Sequence, residues 1–196
     1  MKTNSENRHS ISRMTGLAVL CAIVFLLTYL STLIKFGPFS VTLSLVPFVI
    51  ACCLYGYLGA TVIGTTFSLA IYLIDPTAVY LMSLSFFSSL LVIWVRSLLA
   101  GAGTVAVYRL FSERKQSFAV PAAAAVCPIL NTGFFLLGMF LCYRPVLESW
   151  SGSSAVLKII LYMTGFNFLF EFFVNLVLSS AVERIIRLVQ SMHRTR

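Results

Sequence analysis

Asn167-Phe168-Leu169-Phe170-Glu171-Phe172-Phe173-Val174-Asn175 sets one carboxylate and two carboxamides into an aromatic, apolar run, each polar residue four positions from the next. Residues spaced by four share one face of an α-helix. A charge at hydrocarbon depth costs several kcal/mol unless it meets protein or water. The helix must therefore turn this face inward and leave its Phe, Leu and Val to lipid. The stretch predicts an all-α integral membrane protein whose interior, not its surface, carries the polar chemistry.

Composition agrees. The 196 residues are 59% hydrophobic and 10% charged, against about 25% charge in soluble domains, and the mean hydropathy is +0.96. A chain of this length holds about six spans of ~20 residues with short connections, so a single compact membrane domain is expected. The formal charge of +8 does not point to nucleic acid, because most Lys and Arg sit at the chain ends and in one loop. That distribution reads as orientation in a lipid bilayer.

Residues 1–13 read as a short cytoplasmic polar tail, residues 14–189 as one six-helix membrane domain and residues 190–196 as a basic cytoplasmic tail. The first apolar run follows a basic start but has no small-residue cleavage site, and is read as a retained span rather than a signal peptide. It extends from Met14 to Ile34 and is ended by Lys35-Phe36-Gly37-Pro38. Two short spans follow, Val41 to Leu54 and onward to Ile74, joined at Tyr55-Gly56-Tyr57-Leu58-Gly59 as a helical hairpin. Asp75-Pro76-Thr77 reads as a turn and Tyr80 to Ser89 as partly loop; span four then covers Phe86 to Leu110. After the polar loop Ser112 to Ser117, span five starts with Pro121 in its first turn and is kinked by Pro128 before it ends near Tyr143. Residues 144–155 form the last loop, and span six runs from Val156 to Val182 before Glu183 and Arg187 at pairing distance.

With the N-terminus inside, ten basic residues fall on the cytoplasmic side (Lys2, Arg8, Arg13, Arg109, Arg114, Lys115, Arg184, Arg187, Arg194, Arg196) and three outside (Lys35, Arg144, Lys158). This asymmetry places both termini in the cytoplasm, which requires an even number of spans.

Arg96 and Glu171 are the charges well inside the predicted spans. In the six-span threading they lie at middle depth or in the outer half, level with Asn131. Arg96, Asn131, Asn167, Glu171 and Asn175 are therefore expected to converge on a polar pocket reached from outside, with Trp94 deep enough to stack on a ligand. The plainer reading is a structural Arg96 to Glu171 ion pair with the asparagines bonding helix to helix. Ala18 and Ala22 form a small-xxx-small pair in span one; Ala100, Gly101 and Gly103 form a second small patch in span four. Tyr29, Tyr55, Tyr57, Tyr80, Tyr143, Tyr162 and Trp150 stand near span ends, where amphipathic rings anchor at the headgroups.

Catalysis has no visible carrier. HExxH, GxSxG and Walker A patterns are absent, and His9 and His193 lie in the polar tails. Cys21, Cys52, Cys53, Cys127 and Cys142 lie in or beside apolar runs without a CxxC pair, and read as small core residues rather than metal ligands. No catalytic residue, metal or cofactor is predicted. Uphill transport would need an ion gradient or another subunit.

Four further segments carry a resemblance. They are Leu17-Ala18-Val19-Leu20-Cys21-Ala22-Ile23, Phe36-Gly37-Pro38 through Ile50, Tyr55-Gly56-Tyr57-Leu58-Gly59-Ala60 through Gly64, and Val95-Arg96-Ser97-Leu98-Leu99-Ala100-Gly101. With the Asn167 to Asn175 stretch, they resemble the substrate-binding S components of energy-coupling factor (ECF) vitamin transporters, over nearly the whole chain. The resemblance implies a six-helix bundle in a bacterial cell membrane. Such a bundle captures a water-soluble vitamin from outside, then docks on a coupling membrane subunit with two ATPases and topples to release its cargo. It implies that Ala18 and Ala22 face the coupling subunit. The asparagine in span five and the Asn-x-x-x-Glu spacing in span six are most similar to the pantothenate-like group, in which Arg96 would grip the vitamin carboxylate. Folate, riboflavin, pyridoxine-type and niacin specificities stay open. The alternative from another class is a non-transporting six-span scaffold resembling the rod-shape determinant family, which would need no polar pocket.

Overall fold

Out of water, a long apolar segment satisfies its backbone only by coiling into a helix or closing a barrel, and this chain coils. The computed structural model describes residues 2–33, 35–36, 39–40, 42–113, 116–146 and 156–194. Helix α1 (Lys2–Ser31) leads to a two-residue antiparallel ladder, β1 (Lys35–Phe36) with β2 (Phe39–Ser40). Then come α2 (Leu45–Ile74), the short α3 (Pro76–Leu84), α4 (Phe86–Ser112), α5 (Gln116–Cys142) and α6 (Val156–Arg194). Among the described residues five helices are long and apolar enough to cross a membrane: α1, α2, α4, α5 and α6.

The two short spans expected between Val41 and Ile74 are both carried by α2, which breaks at Gly56. There φ is 63° and ψ is −144°, a conformation that glycine adopts without steric cost. A Cβ built on Gly59 would lie 2.5 Å from the carbonyl oxygen of Ala51. In an unbroken helix the rise between those two positions is about 12 Å. The chain thus bends sharply back on itself at Gly56.

Several boundaries differ from the sequence reading. α1 reaches back to Lys2 and α6 runs on to Arg194, where polar tails were expected over 1–13 and 190–196. Neither stretch contains a proline or glycine that would stop helical hydrogen bonding, and Arg187 pairs with Glu183 one turn away. Pro121, expected in a first turn, lies inside α5 because that helix already begins at Gln116. Asp75-Pro76-Thr77 is not a free turn but the start of α3: the Asp75 carboxylate accepts from the Thr77 N–H at 2.9 Å, with Pro76 in the first turn. Ser85 alone separates α3 from α4. Gly37-Pro38, expected to end the first span, residues 114–115 of the expected polar loop, and Glu148, Trp150 and Gly152 of the expected last loop lie outside the described residues, as do the side chains of Lys158 and Tyr162.

Packing is closest where side chains are smallest. α4 lies along α5, and α2 packs against α1 and α4. A Cβ on Gly101 would meet the Ala60 Cβ at 3.1 Å, and one on Gly64 the Ser97 carbonyl oxygen at 3.4 Å, while Gly103 fits against Leu130. The small patch of α4 is therefore spent on internal contacts. Phe48 and Phe67 meet edge to face at 5.9 Å in the main core, where Cys52, Cys53 and Cys127 are buried as free thiols.

Candidate functional site

α6 is built inside out. Asn167, Glu171, Asn175 and Ser179 are buried in four-residue steps, followed by Val182 and Ile186, while Phe166, Leu169, Phe170, Phe173 and Val177 are exposed. The spacing that defines the stretch thus becomes a polar stripe facing the other helices. Its first two members open into a cavity enclosing about 790 Å³ of empty space, its mouth included.

Four of the six residues expected to bind substrate line that cavity: Arg96 from α4, Asn131 from α5, and Asn167 and Glu171 from α6. Two do not. Asn175 is one turn below, its side-chain amide donating to the Glu171 backbone carbonyl at 2.9 Å. Trp94 packs against the main core, because two residues along a helix turn a side chain to the other flank from Arg96.

The Arg96 to Glu171 ion pair does not form among the described residues. The Arg96 guanidinium instead lies 4.6 Å from the Phe135 ring centroid and 6.0 Å from that of Phe67, and its buried Nε has no hydrogen-bond partner. Glu171 turns to the backbone, accepting from the Thr42 N–H at 2.8 Å. Asn131 Oδ1 and both polar atoms of the Asn167 amide are also buried without partners. Buried polar atoms are ordinarily paired, and with Ser44 Oγ, which is buried and unpartnered too, five such atoms gather on residues lining one cavity. The two aromatic rings hold the guanidinium in place without consuming its charge.

The sequence reading missed several lining residues. Thr28 and Ser31 come from α1, Thr42 from the segment after β2, and Asp75 and Thr77 from the start of α3. None carries a spacing signal, since each reaches the cavity through the packing of another element. Phe67 and Phe135 were legible only as apolar residues.

On the outer side of α1, Ala18 and Ala22 are exposed along with Val19, Leu26 and Tyr29, while Leu17, Val24, Thr28 and Ser31 face inward.

A model of the family described as ECF transporter, substrate-specific component, matches residues 12–183. The chain belongs to that family. As a substrate-specific component it is a substrate-binding subunit of an ECF importer and a multi-pass membrane protein. The match runs from α1 into α6 and takes in every cavity residue named above. Comparison with curated proteins and with solved structures gives no match.

Proposed function

We propose that the chain captures a water-soluble vitamin, pantothenate, from the outer side of a bacterial cell membrane. Loaded, it docks on a coupling membrane subunit that carries two ATPases. Counting the two arms of α2 on either side of Gly56 as separate membrane segments gives six, with both termini in the cytoplasm by the ten-to-three distribution of Lys and Arg. The observation that carries the reading is the unpaired Arg96 beside the orphaned Asn131 Oδ1 and the orphaned amide of Asn167. Pantothenate offers a carboxylate for the guanidinium, an amide for the asparagines and hydroxyl donors for Glu171. The exposed Ala18 and Ala22 supply a low-relief strip on α1 to which another helix can approach closely, and this supports the docking role.

The test is native mass spectrometry of the purified chain in mild detergent, before and after adding a panel of water-soluble vitamins. A bound mass equal to pantothenate is expected. Folate, riboflavin, a pyridoxine-type vitamin or niacin in its place would keep capture and overturn the substrate. A folded chain that retains none of them would overturn capture itself.

A further inference from the structure

Tyr143, which the sequence assigns to a headgroup anchor, is buried just beyond the end of α5. Its hydroxyl faces two carbonyl oxygens, Leu81 at 3.2 Å and Ser85 at 2.9 Å. These belong to the last turn of α3 and to the single residue between α3 and α4. Each oxygen also accepts a helical N–H, Leu81 from Ser85 and Ser85 from Ser89, both at 3.1 Å. The phenol thus joins a corner whose backbone pairing is already made.

α3 needs such a tie. A nine-residue helix makes few hydrogen bonds of its own and depends on its packing, and its inner side is part of the cavity wall through Thr77, Ala78 and Leu81. Its first turn is fixed by the Asp75 cap. Its last turn is fixed by Leu81, which packs with Val92, Met139 and Tyr143 in a small cluster separate from the main core.

We infer that Tyr143 is a positioning residue for the binding site: its hydroxyl pins the end of α3 to α5 and so sets how long the cavity wall stays closed over a bound vitamin. Tyr143 touches no cavity space itself, so it acts on residence time rather than on recognition. The inference rests on the capture function proposed above for its ligand arm, but not for its ligand-free arm.

The test compares wild type with Tyr143→Phe, which keeps the ring in its cluster and removes only the donor. The two carbonyls stay paired to their N–H groups, so the variant folds. In the ligand-free chain, amide hydrogen exchange across residues 76–85 is expected to accelerate about threefold to tenfold, the range for loss of one ordinary buried hydrogen bond. Exchange in the middle of α4 stays unchanged. With labelled pantothenate, dissociation is expected to accelerate by a similar factor at an unchanged association rate. Tyr143→Leu, which also breaks the cluster, serves as the comparison and loses thermal stability as well. Unchanged exchange across 76–85 in Tyr143→Phe would overturn the inference, whether or not the wild type binds pantothenate. Faster exchange with an unaltered dissociation rate would overturn the residence-time role. Failure of the wild type to bind pantothenate counts against the proposed substrate alone, and the exchange result still decides the tie.

Discussion

The carboxylate of Glu171 accepts the backbone N–H of Thr42 at 2.8 Å across 129 positions of sequence. Beside it, the Leu43 N–H donates to Ser31 Oγ at 3.1 Å. The segment after β2 is therefore tied at once to the first helix and to the last. A part-buried N–H left without an acceptor costs about 1–3 kcal/mol, which sets the expected loss of stability for Glu171→Ala. Glu171→Gln keeps an acceptor oxygen and is expected to lose about 1 kcal/mol or less. Thermal unfolding in mild detergent measures both; an alanine variant as stable as wild type would remove the tether.

Arg96 is stacked but not neutralised, so its removal is expected to act on ligand more than on fold. Arg96→Ala should weaken pantothenate binding by about a hundredfold or more, the value of a two-point charged contact. Arg96→Lys keeps the charge but loses the planar fork and the stacking on Phe135, and should fall between. Titration calorimetry on folded variants gives the constants. An unaltered affinity in Arg96→Ala takes the residue out of the site.

Ala18 and Ala22 lie away from the cavity, on the exposed side of α1. Leucine at either position adds bulk to the outer strip and changes nothing that touches ligand. Vitamin binding by the isolated chain should be retained while uptake by cells carrying the complete importer is blocked. Normal uptake by both variants would refute the docking role.

Glycines in α4 and α5 offer a matched pair. A Cβ on Gly101 would stand 3.1 Å from the Ala60 Cβ and 3.3 Å from both the Ala60 oxygen and the Phe48 ring, whereas one on Gly133 meets nothing within 4 Å. Gly101→Ala is expected to destabilise by about 1–3 kcal/mol through overpacking. Gly133→Ala should be neutral or slightly stabilising, since alanine is the better helix former. The difference between their melting temperatures is the measurement.

What the sequence reveals of this protein follows the helical period. Asn167 and Glu171 were legible because their spacing and their surroundings leave one inward face, and Arg96 and Asn131 because a buried charge and a carboxamide at the same depth have few other uses. Trp94, expected to stack on a ligand, sits two residues from Arg96 on another side of α4 and packs against the main core instead. Asn175 is buried on the inward stripe, but its depth places it one turn below the cavity it was expected to line. Thr42, Ser31 and Asp75 could not be read out, because what brings them to the cavity is the packing of β2 against α6, of α1 against α2 and of α3 against α4. Tyr143 shows the limit most clearly: composition sends a tyrosine at a span end to the headgroups, and only the position of α3 reveals the two carbonyls that bury it.

The bend at Gly56 also bears on how the chain enters the membrane. Leu45 to Tyr55 rises only about 16 Å as a helix, roughly half the hydrocarbon thickness. An arm of that length is not recognised as a membrane segment by itself and has to be inserted together with Tyr57 to Ile74 as one unit. A residue with a β-carbon at position 56 would be strained at this φ whatever space surrounds it, so the pairing of the two arms hangs on a single α-carbon.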